Sequence, residues 1–196
     1  MAIKENFNAI YRGLQQMKQI KDDAAEAIQK ISENDVWSDD YKLSMRGRIN
    51  ADTVGRIEGM VEDMRPVMDE LKAELEAPRK NFDLCSVKLQ NALQLVNLAN
   101  GSPVPEDVEE SIVEQLGDEI GALEILHPMF HKAGMHIAAM EAEKKIHSVI
   151  RDTQFVDSLD DTLYYACQSA SPDGGIEKAI NIAQSFAYTK GIEIDA

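Results

Sequence analysis

The clearest pattern opens the chain. Phe7, Leu14, Lys21 and Ile28 recur every seven residues, and Ile3, Ile10, Met17, Ala24 and Ile31 recur every seven in the complementary place. An a/d seam kept this strictly predicts a coiled-coil-like helix over 3–33. At ~1.5 Å per residue such a helix is about 45 Å long. Lys21 interrupts the seam. A polar residue there either fixes register and oligomeric state or snorkels from an ordinary bundle helix.

A second stripe follows. Val54, Ile57, Val61, Met64, Met68, Leu71 and Leu75 alternate in steps of three and four, predicting a helix over 39–77. Ser38 suits its N-cap, and Asp39 and Asp40 suit the positive end of its dipole. Pro66 predicts a kink or break near Met64–Arg65, and Pro78 a stop. Trp37, the sole tryptophan, lies at the corner between the two helices and is expected to cap the core there; a partner-facing anchor is the alternative.

Phe82, Cys85, Leu89, Ala92, Val96 and Ala99 predict a third helix over 80–99, stopped by Asn100-Gly101. "NGSPVPED" reads as a loop. Pro105 fits the first turn of a fourth helix, whose apolar face is Val108, Ile112, Leu116, Ile120 and Leu123. At Pro128 the helix either kinks or restarts, then runs to about Arg151. Ser158 to Asp161 reads as the start of a short helix over 159–170, "SASPDGG" as a turn, and 175–190 as a last helix ending at Gly191. "IEIDA" is a tail or short strand.

The pattern predicts an all-α fold: an elongated helical bundle with long coiled-coil-like N-terminal helices and a shorter-helix acidic half. The loop at Gly101–Pro105 divides region 1–100 from region 105–196, as two domains or as one continuous bundle. With only 6% aromatic residues but 44% hydrophobic ones, the composition also favours helices.

Charge narrows the functional classes. The net charge is −15. Residues 91–196 hold 6 basic against 18 acidic residues, and no Lys or Arg falls between Lys88 and Lys132. Such a surface repels phosphate backbones and anionic membranes, so neither nucleic acid nor membrane is an expected partner. The acidic stretch is a solvated face or a docking surface for a basic protein. The three basic residues Arg46 and Arg48 of "MRGR" and Arg56 read as a solvated helix face. The N-terminal stretch lacks an apolar signal region and no run matches a membrane span, so the expectation is a soluble protein made in the cytoplasm. Cys85 and Cys167 have no paired spacing and are expected to be reduced core residues.

Candidate chemistry centres on "HPMFHKAGMH", residues 127–136. Glu124-x-x-His127 is one copy of the unit that di-iron bundles use in pairs. A second copy is missing, because Pro128, Ala133 and Lys144 stand three residues before His131, His136 and His147. His127 and His131 could chelate from one helical face, but Pro128 between them argues against regular helix. A site of Glu124, His127, His131 and Glu143 is the minority reading, and no cofactor is expected. Nucleophile elbows, phosphate loops and dinucleotide fingerprints do not occur.

One stretch carries a resemblance. In "NDVWSDDYKLSMRGRI", residues 34–49, the core Ser38-Asp39-Asp40-Tyr41-Lys42 resembles a pattern in small helical proteins from structural (head and neck) gene modules of tailed bacteriophages. It implies a virion or assembly component near the capsid or head–tail connection, and carries over no catalytic residue. The functional expectation is a non-enzymatic protein that associates through helices with copies of itself or another protein. Phe7, Ile10, Leu14, Met17, Lys21, Ile28 and Trp37 are the expected contact residues. The alternatives are a helical metal-dependent enzyme and an acidic regulator of a basic partner.

Overall fold

The computed structural model describes residues 2–99, 102–168 and 175–194. Seven helices make up the described chain: α1 (Ala2–Ser32), α2 (Asp39–Lys80), α3 (Val87–Ala99), α4 (Glu106–Leu116), α5 (Ile120–Ala133), α6 (His136–Cys167) and α7 (Ile176–Lys190). The all-α fold predicted from the sequence is the fold observed. No helix among the described residues is long and apolar enough to cross a membrane.

The chain forms two compact units, Met1–Lys72 with Gln154–Ala196, and Ala73–Thr153. Their boundaries fall inside α2 and α6, and the loop around residues 102–105 lies within the second unit.

In the first unit the heptad seam of α1 is spent within the chain. Phe7, Ile10, Leu14 and Met17 are fully buried, and Ala24 and Ile31 nearly so. Phe155 of α6 stacks on Phe186 of α7 with ring centroids 4.0 Å apart, and Phe7 tilts against both at 6.3 and 5.8 Å. Three phenylalanines from distant parts of the chain thus close one core. Lys21 neither reaches solvent nor faces a second chain. It is fully buried, and its Nζ donates to the carbonyl oxygen of Ala166 at 2.9 Å. Ala166 is in the last turn of α6, where carbonyls lack helical partners and the dipole is negative. The lysine that breaks the seam caps a neighbouring helix.

The second unit packs α3, α4 and α5 around Leu89, Ile112, Leu116, Leu123, Leu126 and Phe130. Glu109, expected among the solvated acids, is buried. Its Oε2 accepts from the amides of Ile137 and Ala138 at 2.8 and 3.1 Å, capping the N-terminus of α6 from another helix. Lys145 donates to the carbonyl oxygen of Gly117 at 3.0 Å.

Several boundaries differ from the sequence reading. α2 runs through Pro66 and through Pro78 without a break. Likewise α5 runs through Pro128 and ends at Gly134, a left-handed residue with φ 78°, so the corner lies there. Pro66 and Pro128 sit on exposed sides of their helices, where the carbonyl each leaves without a donor can be hydrated. The expected fourth helix is two, α4 and α5, parted at Gly117, which has φ 58°. The expected helix start at Ser158 is helix interior: α6 is continuous, because Phe155, Leu159, Leu163 and Ala166 extend its buried stripe. The third helix begins at Val87, not 80. Asp83 accepts from the amide of Cys85, and the hydroxyl of Ser86 from the amide of Leu89. Cys85 is therefore exposed and Cys167 half-buried, and neither is a core residue. The stop at Asn100-Gly101 and most of "SASPDGG" lie outside the described residues.

Candidate protein interface

The site is built by the first two helices. Gly13 packs on the thioether of Met64, and Lys42 Nζ donates to the carbonyl oxygen of Ser32 at 3.2 Å, so α1 and α2 run antiparallel as a hairpin. α6 reaches α1 at Lys21 and its helix stops at Cys167. α7 meets α1 where Lys18 pairs with Glu177 at 3.5 Å, beside its own start at Ile176. Among the described residues, 22–56 form a two-helix arm beyond those levels.

The tip of the arm is held by local polar bonds. Asn34 Oδ1 accepts from the amides of Val36 and Trp37 at 2.9 and 3.3 Å, and Ser38 Oγ from the amide of Tyr41 at 3.4 Å, the N-cap expected there. Trp37 packs edge-to-face on Tyr41 with centroids 5.1 Å apart. It does not cap the core: it is 39% exposed, Val36 is 90% exposed and Leu43 70%.

Along the arm runs a groove of about 370 Å³. Ile20, Ala24 and Ala27 of α1 and Ile49 and Thr53 of α2 form its apolar walls, and the exposed Asp23, Arg48, Asp52 and Arg56 stand at its rim. Arg56 pairs loosely with Asp52 at 4.0 Å. By helical periodicity Ile20, Asp23 and Ala27 lie ~100–160° round α1 from Lys21. The groove therefore opens on the side of the hairpin away from α6. At Gly55 and Gly59 an added Cβ would meet nothing within 4 Å, so the backbone of α2 is open to close approach.

Of the contact residues expected from the sequence, Phe7, Ile10, Leu14, Met17 and Lys21 lie inside the first unit, Ile28 is half-buried on the arm and Trp37 is exposed at its tip. The sequence reading missed Ile20, Ala27 and Ile49. The signal was there: they are aliphatic or small, at helical spacing, and off the heptad seam.

The histidine group is arranged differently from a ligand set. Regular helix does run through Pro128, so His127 and His131 share a face, Nε2 to Nε2 at 3.2 Å with rings edge-to-face. Glu124, however, is taken by Arg79, whose Nε and Nη2 both lie 2.8 Å from its Oε1. Glu143 pairs with His147 at 3.9 Å on α6. Among the described residues no group of three or more His, Cys, Asp or Glu is placed to hold a metal ion.

Compared with family models, curated proteins and solved structures, the chain matches none.

Proposed function

We propose that this is a non-enzymatic assembly protein that associates through helices, with the 22–56 arm as its contact element. The observation that carries the reading is the apolar groove along the arm, rimmed by charges of both signs. A hairpin whose apolar walls end in exposed Arg and Asp has the anatomy of a helix-docking surface: an apolar centre and a polar rim. The exposed Trp37–Tyr41 pair at the tip adds the residue types that anchor interfaces. The Ser38–Lys42 turn that resembles phage structural proteins is this same tip, and supplies the proposed setting, a virion or its assembly intermediate.

The test is a photo-crosslinking amino acid at Ile49 in cells that make the protein naturally, with Asp63 as the control position on the same helix. Protein adducts at Ile49 and not at Asp63 are expected. Equal labelling at both positions, or none at Ile49, would sink the reading.

A further inference from the structure

We infer that His127 and His131 form a two-histidine chelate for one divalent cation of the nickel–copper–zinc group, with water filling the remaining positions. The site lies on α5, apart from the arm, and does not depend on it. Regular helix runs through Pro128, so the two residues stand one turn apart on the same face. Their Nε2 atoms are 3.2 Å apart and their ring centroids 4.8 Å. The nitrogens are closer together than the rings that carry them, so both rings turn Nε2 inward. At ~2.0–2.1 Å from an ion, two nitrogens 3.2 Å apart subtend about 100°. That angle falls between the right angle of tetragonal copper and the tetrahedral angle of zinc. Imidazole suits these ions, whereas calcium and magnesium take oxygen ligands.

The chelate is preformed. Leu123, Leu126 and Phe130, all fully buried, anchor the helix on its core side. His127 is half-buried and His131 exposed, so an ion reaches the pair from solvent. Without the ion the two rings share an N–H···N hydrogen bond. Binding moves that proton to Nδ1 of its ring, and both Nε2 atoms then present a lone pair. The rings already face each other, so the ion orders little. The carboxylates first considered with them are committed elsewhere, Glu124 to Arg79 and Glu143 to His147. Among the described residues no third His, Cys, Asp or Glu joins the pair. Two protein ligands leave positions open, unlike the closed four-ligand sites that hold zinc for structure. The surrounding field favours a dication, because residues 91–196 hold 18 acidic against 6 basic residues.

The experiment is calorimetric titration of the tag-free full chain with Cu2+, the strongest binder of the series, together with electron paramagnetic resonance. A single strong site is expected, with two imidazole nitrogens in the Cu2+ spectrum, and Zn2+ should compete for it. His127→Ala and His131→Ala should each weaken it by about tenfold or more, since even supporting groups round a metal are worth that much. The decisive variant is His131→Lys/Lys132→His. It keeps the composition but moves the second imidazole ~100° round the helix, so the same loss should recur. Circular dichroism should show unchanged helix content in all three variants, because none of the residues changed is buried. His147→Ala and Glu124→Gln should leave the affinity as it is. No strong site in the wild type, full affinity in His131→Lys/Lys132→His, or an equal loss in His147→Ala or Glu124→Gln would each overturn the inference.

Discussion

Lys21 Nζ lies 2.9 Å from the carbonyl oxygen of Ala166, a bond between residues 145 apart in sequence and fully enclosed. Burial pushes the lysine below its usual value near 10.5, and the neighbouring Cys167 opposes this only in part. Between the lowered value and the ordinary one, the unfolded chain holds this proton more firmly than the folded chain does. Lys21 therefore makes stability rise with pH through that window. Lys21→Met should abolish that rise while costing under ~1.5 kcal/mol at neutral pH, since volume is kept. Lys21→Ala should cost about 2–4 kcal/mol through a cavity and an unpartnered carbonyl. Thermal unfolding of wild type and Lys21→Met at several pH values between 7 and 10 decides it: parallel curves would contradict the assignment.

Glu109 holds two amides of α6 from α4. Glu109→Ala leaves both without an acceptor in a buried place and should cost about 2–4 kcal/mol. Glu109→Gln keeps one acceptor oxygen and should lose less than half of that. Urea unfolding of the two variants measures the difference, and equal losses would mean that packing, not capping, is what the residue provides.

Gly121 of α5 has no room for a side chain, because a Cβ would collide with the ring of Phe82 and the backbone carbonyl of Arg79. Gly121→Ala should destabilise by more than about 2 kcal/mol. Gly47→Ala, in open space on α2, should stabilise by about 0.5–1 kcal/mol through backbone entropy. Calorimetry of the pair tests whether the close approach is native: a tolerated Gly121→Ala would mean that it is not.

The two thiols should react at different rates. Cys85 is exposed in the turn before α3. Cys167 is half-buried, and its pKa is raised by burial and by the charge of Glu58. Maleimide at neutral pH should label Cys85 at least about tenfold faster, since the thiolate is the nucleophile. Mass spectrometry of the early product identifies the site, and early label on Cys167 would be the contrary result.

How much of this was legible beforehand depends on whether each signal is local. The α1 seam was readable because Phe7 to Ile31 repeats within one helix, and its span of 3–33 matches the observed Ala2–Ser32. The break at Gly117 was hidden, because Leu116 and Ile120 stay four residues apart and the stripe crosses the turn in phase. The opposite error arose at Ser158, whose polar neighbours look like a cap although Leu159 and Leu163 keep α6 buried. The partners of Lys21 and Glu109 are remote in sequence, so Lys21 read as a register-setting or snorkelling seam residue and Glu109 as a surface charge until the fold supplied their acceptor or donors. The groove was half visible: Ile20, Ala27 and Ile49 carry the pattern, but only the antiparallel hairpin brings them together.

The first unit is assembled from Met1–Lys72 and Gln154–Ala196, about 80 residues apart. On the ribosome this is a delay. Once α1 and α2 have emerged, the phenylalanine cluster waits for Phe155 and Phe186 while the intervening stretch is made, roughly 4–16 s at ~5–20 residues per second. For that interval Phe7 lacks the rings of Phe155 and Phe186 that enclose it in the finished fold. The fold thus ties its own yield to the speed of translation and to whatever shields a long amphipathic hairpin until its last two helices arrive.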